Sequence, residues 1–309
     1  MKLISTYFLT LLFTFIFTSS ILAQNEYSHE ETYAILPNGT FRLSTNDADI
    51  TIKGTDRDDV YVKVWRSVKG KQWPDRDFSL DYDSDGNNVS ITEGDSWSEN
   101  RVSFSFYSSL EYTIDVEVPN AVFLGLEGDD DNYNIENINN SIQLDLGDGD
   151  VVLRSIHGEK LDIHLGDGEV YMEDVSGKLK LVLNDGDTKI RNGKLSVLDV
   201  QMDDGNFDLE NITNVNELEL RANDGDVDIK CELGYEADVD VNLEDGDLVF
   251  KIVDGGGKIE VDQEDGSVSY KEGLYELTSK TKYSKNLVTT KAGNSSIRIS
   301  VEDGDVELK

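Results

Sequence analysis

Leu161-Asp162-Ile163-His164-Leu165-Gly166-Asp167-Gly168-Glu169-Val170-Tyr171-Met172-Glu173 is the stretch on which the fold turns. Leu161, Ile163 and Leu165 alternate with Asp162 and His164; beyond Asp167-Gly168, Val170 and Met172 alternate with Tyr171 and Glu173. On an extended chain, side chains two apart share a face, so each run reads as a strand with one buried side. Asp-Gly between them is turn chemistry: Asp bonds nearby N–H groups, and Gly takes a positive φ without steric cost.

The unit recurs. Asp-Gly followed by a polar residue stands at Asp148-Gly149-Asp150, Asp167-Gly168-Glu169, Asp185-Gly186-Asp187 and Asp204-Gly205-Asn206. It stands again at Asp224-Gly225-Asp226, Asp245-Gly246-Asp247, Asp265-Gly266-Ser267 and Asp303-Gly304-Asp305. The glycines are 19, 18, 19, 20, 21, 20 and 38 residues apart. The last gap reads as two coils, one of which has lost its marker near Lys285. Asp130-Asp131-Asn132 reads as a degenerate first copy. Gly158, Gly177, Gly193 and Asn211 mark a looser turn on the far side of each repeat. A near-constant period favours stacked coils over a meander of hairpins, because each stacked repeat contacts only its neighbours. The expected fold is all-β: a flattened β-solenoid over residues 121–309, with coils of about 19 residues and an apolar axis of Val, Ile and Leu ladders. An open end needs protection from edge pairing, and Glu307 and Lys309 on the final strand are expected to provide it.

Residues 24–120 lack the period and read as a β-rich region, either wider coils or a small sandwich capping the solenoid. Strands are expected at 32–36, 40–45, 49–53, 60–68, 78–83, 89–92, 102–106 and 112–118, with Pro119-Asn120 as the boundary. Residues 1–23 carry one charge, Lys2, then an apolar run and a small Ala23, the pattern of a cleaved signal peptide. The apolar run is about half the ~20 residues a membrane-spanning helix needs, and no transmembrane segment is expected after cleavage. Cys231 is the sole cysteine, which excludes a lipidated cysteine at the cleavage point and an intrachain disulfide framework. The expected product is exported to the periplasm, outer surface or extracellular space.

The chain has 309 residues, 63 acidic and 28 basic, and a formal net charge of −35. Loss of Lys2 takes this to −36. Such a field repels nucleic acid and anionic lipid. A hydrophobic content of 38%, regularly alternating, excludes disorder.

Phe41 to Ile52, with Ser44-Thr45-Asn46-Asp47-Ala48-Asp49-Ile50, and the run Val60-Tyr61-Val62-Lys63-Val64 resemble the opening of the bacterial putative-adhesin family of β-strand-repeat domains of unknown function. Ile114-Asp115-Val116-Glu117-Val118-Pro119 resembles that family's strand ending in Val-Pro, and the later Asp-Gly-Asp-Val coils resemble the related head domain of auto-transporter adhesins. The resemblance covers roughly Phe41 to Leu308. It implies a solenoid-like all-β fold in exported or envelope proteins and carries no catalytic residues. This chain is richer in Asp at the turns than the family pattern.

Stacked turns lie about 4.8 Å apart. Asp148, Asp167, Asp185, Asp204, Asp224, Asp245 and Asp265 would form one column, and Asp150, Glu169, Asp187, Asp226 and Asp247 a second. Two unit charges about 5 Å apart cost ~0.8 kcal/mol in water. Turn chemistry explains every Asp-Gly with the carboxylates left in water; a calcium ion between rungs, taking six to eight oxygens, is the functional alternative. Metal candidates on that reading are Asp148, Asp150, Asp167, Asp185, Asp187, Asp204, Asp224, Asp226, Asp245 and Asp247. No other cofactor is implied.

His29, His157 and His164 show no nucleophile beside them in sequence, and Cys231 falls on an inward face. Trp65, Trp73, Trp97, Phe104, Phe106, Tyr107 and Tyr112 are either core or a binding patch. Lys271, Lys280, Lys282, Lys285, Lys291 and Arg298 would contact an anionic glycan or neutralise the acidic body. The reading is an exported, non-enzymatic, adhesin-like envelope or surface module with a protein or glycan partner. A carbohydrate-active β-helix lyase or hydrolase and a purely structural or stress-response envelope protein are the alternatives.

Overall fold

The computed structural model describes residues 24–69, 78–94 and 109–309. The signal segment, the strand expected at 102–106, and Trp73, Trp97, Phe104, Phe106 and Tyr107 lie outside them.

The first part of the chain forms β1 (Gln24–Ala34), β2 (Thr40–Thr45), β3 (Asp49–Thr55) and β4 (Asp59–Lys69). Then come β5 (Leu80–Ser84), β6 (Asn88–Glu93), β7 (Ser109–Pro119), β8 (Phe123–Asp130), β9 (Asn132–Ile138) and β10 (Ile142–Asp148). Five long strands follow: β11 (Val151–Asp167), β12 (Val170–Asp185), β13 (Thr188–Asp204), β14 (Phe207–Asp224) and β15 (Val227–Asp245). The remainder is β16 (Leu248–Asp254), β17 (Gly257–Asp265), β18 (Val268–Tyr270), β19 (Tyr275–Lys280), β20 (Ser284–Thr289), β21 (Ser295–Asp303) and β22 (Val306–Leu308). No helix occurs among the described residues.

Each long strand bends midway, so its first half lies in one sheet and its second half in the other. Neighbouring coils pair in parallel and in register: Leu161, Ile163 and Leu165 of β11 sit beside Leu179, Leu181 and Leu183 of β12, and those beside Leu198, Val200 and Met202 of β13. All of these are buried. Fully burying such a side chain contributes roughly 1.5–3 kcal/mol, which makes the axial ladders the main source of cohesion. The Asp-Gly corner is rigidly conserved in geometry from coil to coil. Bulges cluster at the other corner, between His157 and Lys160 and between Lys194 and Val197. The 18-to-21 residue drift is absorbed there.

The looser corner is set by residues in the left-handed region: Asn137, Ser155, Asp174, Asn192 and Asn211, with φ from 53° to 61°. Ser155 and Asp174 stand three residues before Gly158 and Gly177, Asn192 one residue before Gly193, and Asn211 was itself singled out from the sequence. Asn and Asp tolerate this conformation because their short polar side chains bond locally.

The coil order in space departs from the chain order at both ends. β21 pairs with β15 on one side and β17 on the other, and β22 lies between β16 and β18. The last coil in sequence is therefore the penultimate coil in space. This corrects two expectations. There is no unmarked coil near Lys285; that residue lies in β20, which pairs antiparallel with β17 and β19. Glu307 and Lys309 do not protect an open end, because their strand is interior. At the other end the first coil, β2–β3, is sandwiched between β8–β9 and the pair β6 and β7. The two sheets thus run without interruption across residue 120.

Both ends carry antiparallel strands. β1 and β4 extend one sheet antiparallel beyond β7, and β5 extends the other beyond β6. Tyr27, His29 and Tyr33 project from one face of β1 and meet Tyr82 of β5: Tyr27 and Tyr82 hydroxyls are 3.1 Å apart, and His29 stacks on Tyr82 at 4.1 Å. Phe78 packs edge-on to Tyr27 and Tyr112. At the other end the β19–β20 hairpin buries Tyr275 and Leu287, and Tyr275 Oη donates to the Lys309 carbonyl at 3.0 Å.

Candidate functional site

The Asp-Gly corners form one ridge along the solenoid. Its glycines have φ between +123° and +152°. A Cβ at Gly168, Gly205 or Gly225 would stand 2.0–2.1 Å from the preceding coil's glycine carbonyl oxygen, so no other residue fits. Gly304 meets Gly246, and Gly266 meets Gly304, in the same way. Each glycine N–H except that of Gly266, in the last coil, donates to the Asp carbonyl of the next coil, as from Gly168 to Asp185 at 2.9 Å.

The residue after glycine has a specific task. Its side-chain oxygen accepts the N–H of its counterpart one coil on: Asp150 from Glu169 (2.9 Å), Asp187 from Asn206 (2.9 Å), Asn206 from Asp226 (3.0 Å) and Asp226 from Asp247 (3.0 Å). Asp247 continues the ladder to Asp305 at 2.8 Å, and Asp305 to Ser267 at 2.7 Å. These bonds run between coils, where the sequence suggested bonds within a turn. Asp150, Asp187, Asp226 and Asp247 each commit one oxygen to the backbone.

The column before glycine is different. Asp148, Asp167, Asp185, Asp204, Asp224 and Asp245 are exposed and stacked in register. Loss of water at the crowded corner, then the charges of Asp185 and Asp224, hold the Asp204 carboxyl above the usual carboxylate range. Asp130 is raised for the same reasons, with Asp47, Asp129 and Asp148 as the neighbouring charges. Among the described residues no three His, Cys, Asp or Glu side chains converge as a metal-holding group.

Asp130-Asp131-Asn132 is the degenerate first copy of the corner, in register with Asp148-Gly149-Asp150, and Asp131 is what sets it apart. Asp131 occupies the glycine position, and its carboxylate turns inward and is fully buried. Oδ1 accepts from Ala48 N–H at 2.6 Å and Oδ2 from Thr45 Oγ1 at 3.0 Å. Burial is the main cause that lifts this carboxyl to about 7, with the charges of Glu93 and Asp47 adding to it. Glu93 is raised as well, mainly by burial. The buried hydroxyls of Tyr112, facing Glu93, and Tyr133, facing Thr45, meet no hydrogen-bond partner in good geometry.

His157 does have a hydroxyl neighbour, contrary to the sequence reading. Nδ1 lies 3.2 Å from Ser176 Oγ, and Nε2 lies 3.4 Å from Asp174 Oδ2, which also accepts from Ser155 Oγ at 3.2 Å. The order acid, imidazole, hydroxyl matches a hydrolytic triad. However, the His157 and Asp174 side chains are 43% and 58% exposed. Water screens such a pair, and the flanking strands pair with the coils on either side. The trio links adjacent coils at the looser corner, beside a shallow polar groove lined by Lys53, Asn120, Asn137, Asn139 and Ser155. His29 belongs to the aromatic cap, and His164 lies 3.4 Å from Asp162.

Within the basic stretch, two lysines serve the backbone and Arg298 neutralises acids. Lys285 Nζ donates to the Val268 carbonyl on the short edge strand at 2.7 Å, and Lys291 Nζ to the Ile252 and Val253 carbonyls at 2.6 and 2.5 Å. Arg298 bonds Asp238 and Asp240. Cys231 is buried in the core, and burial pushes its thiol up to about 12. Tyr112 is core in β7, and Trp65 lies in β4. Neither the inter-coil side-chain ladder nor Asp131 was recognised in the sequence. The Asp/Asn identity of the residue after glycine carried the first, and the Gly-to-Asp exchange at 131 carried the second.

An all-β stack of parallel coils with one Asp-Gly ridge defines a β-solenoid repeat domain. The chain belongs to the Toastrack DUF4097 family, whose model matches residues 40–252. Among solved structures it is similar to a putative lipid binding protein from Parabacteroides distasonis, at 12% identity and TM-score 0.50, over 92% of this chain and 97% of that one. It is also similar to a putative adhesin from Parabacteroides merdae (10% identity, TM-score 0.42, 92% and 96% covered) and a putative cell adhesion protein from Clostridium sporogenes (14%, 0.28, 92% and 99%). The first is a likeness of fold; the other two are too loose to carry structural argument. No curated protein matches the chain.

Proposed function

We propose that the protein is an exported, non-enzymatic β-solenoid that acts as an adhesin-like interaction module at the cell envelope, in the periplasm, on the outer surface or outside the cell. The observation that supports it is the Asp-Gly ridge: in spatial order from Gly149 to Gly304, each corner glycine N–H is bonded to the Asp carbonyl of the next coil, and a side-chain ladder reinforces most of these steps. A rigid ladder with one polar group repeated every ~4.8 Å suits recognition by many shallow contacts with an extended polar partner, a protein or a glycan. The axis is filled with side chains, which supports polar recognition over uptake of an acyl chain.

Calcium in the outer column from Asp148 to Asp245 is part of the proposal, since like charge crowds Asp130 and Asp204. The test is a binding screen of residues 24–309 against glycans, envelope proteins and lipid vesicles, with calcium and with chelator, alongside fractionation of cells expressing the full chain. Saturable binding to a glycan or protein, with the chain found outside the cytosol, is expected. Cytosolic retention, or binding to vesicles alone, would refute the reading.

A further inference from the structure

We propose that the junction between coil β2–β3 and coil β8–β9 is a proton-operated latch: a protonated Asp131 holds the N-terminal cap on the solenoid, and its ionisation loosens the coils on either side.

The site is built by two coordinated changes. In the layer beside the corner, Leu146, Leu165 and Leu183 fill the axis coil after coil, but their partner in β8 is Gly128. A Cβ on Gly128 would stand 2.1 Å from Asp131 Oδ2, so the missing side chain makes the room the carboxyl occupies. Thr45 stands beside Gly128 in β2 and supplies the hydroxyl donor. The carboxyl thus sits where other coils hold a leucine, bonded by two donors from the preceding coil and, among the described residues, by no cation.

The Ala48 and Thr45 donors favour the charged form, but burial and the neighbouring acids oppose it more strongly. Asp47 and Asp49 face the junction from the β2–β3 corner, and Glu93 from β6, where it accepts Asn46 N–H at 3.0 Å. Tyr112 of β7 and Tyr133 of β9 present hydroxyls. Glu127, Asp129 and Asp130 belong to β8, and Asp148 and Asp150 to the next corner. Among the described residues a cation acts here from β4: Arg66 lies 4.3 Å from the Phe78 ring and lowers Glu93 and Tyr112. An isolated buried carboxylate is costly, and the group keeps its proton instead.

The sign follows from linkage. Asp131 is lifted to about 7 in the fold, against about 4 when exposed to water. The stability tied to its proton is fully present below about pH 4 and is lost as pH rises through 7. Between pH 6 and pH 8 the local opening constant should rise about tenfold.

The experiment is hydrogen exchange on the full chain from pH 5 to pH 8.5, corrected for intrinsic rates. It compares wild type with Asp131→Asn, and with Asp130→Asn as a control that removes an exposed charge. In wild type and the control, amides of 40–55 and 123–138 should lose about tenfold protection between pH 6 and 8 relative to 179–224; in Asp131→Asn they should not. Equal profiles in wild type and Asp131→Asn would overturn the proposal. Should Asp131→Asn fail to fold, the paired variant Gly128→Leu/Asp131→Gly restores the regular coil and should fold with a flat profile. Carboxyl carbon NMR of the wild type decides independently: a midpoint near 4 for Asp131 would also overturn it.

Discussion

At the scale of the residue, the corner glycine and its successor do separable work. Glycine is there because φ is positive and because a Cβ at Gly168, Gly205 or Gly225 would stand 2.0–2.1 Å from the preceding coil's glycine carbonyl oxygen. Gly225→Ala should therefore cost about 2–4 kcal/mol in chemical unfolding, beyond the ~1 kcal/mol of ordinary glycine replacement. A cost under 1 kcal/mol would mean that neighbouring coils do not approach so closely. The two Asp columns should respond oppositely. Asp226→Ala removes an acceptor from Asp247 N–H and should destabilise by about 1 kcal/mol. Asp204→Asn removes a charge held beside Asp185 and Asp224, and the midpoint of unfolding should stay or rise. The turn role of Gly was legible in the sequence because Asp-Gly is a local signal. The inter-coil role of the following Asp was not, because its partner lies a full coil away.

At the scale of the element, the solenoid is stitched at both ends by segments out of chain order. Alternation and period gave each strand its inward face, and burial of Ile297, Ile299 and Val301 follows from that alone. Their neighbours did not follow: a 38-residue gap is compatible with a silent coil or with a hairpin followed by a return. The difference lies in the antiparallel pairing of β17, β19 and β20, for which a periodic sequence gives no sign. The β17–β20 pairing explains the basic stretch as well. Lys285 and Lys291 satisfy carbonyls left at a strand edge and a corner, which charge counting reads only as neutralisation. Because β21 is interior, Ile299→Ala should cost 2–5 kcal/mol, as at any core site, measured by urea unfolding. A loss near zero would place β21 at a frayed terminus.

At the scale of the molecule, a chain of net charge −35 keeps a column of exposed carboxylates in register. Repulsion between neighbours about 5 Å apart is reduced by salt, so the melting temperature should rise by several degrees between 10 and 300 mM sodium chloride. Calcium at a matched ionic strength separates screening from binding. A further rise, reversed by chelator, is the outcome expected if the outer column holds the ion, and identical melts would remove the calcium proposal. All of this rests on coils stacked around one axis in the order seen, with the final coil slotted between its two predecessors. Paired cysteines at outward positions report that order directly, since a disulfide requires Cα atoms within about 7 Å and two strand spacings exceed it. Ser300 lies beside Asn242 on one side and Asp262 on the other. Oxidation of N242C/S300C and of D262C/S300C should each give an intrachain bridge, while N242C/D262C should stay reduced. A bridge in N242C/D262C with none in the other two would show the coils stacked in simple chain order and would contradict the account.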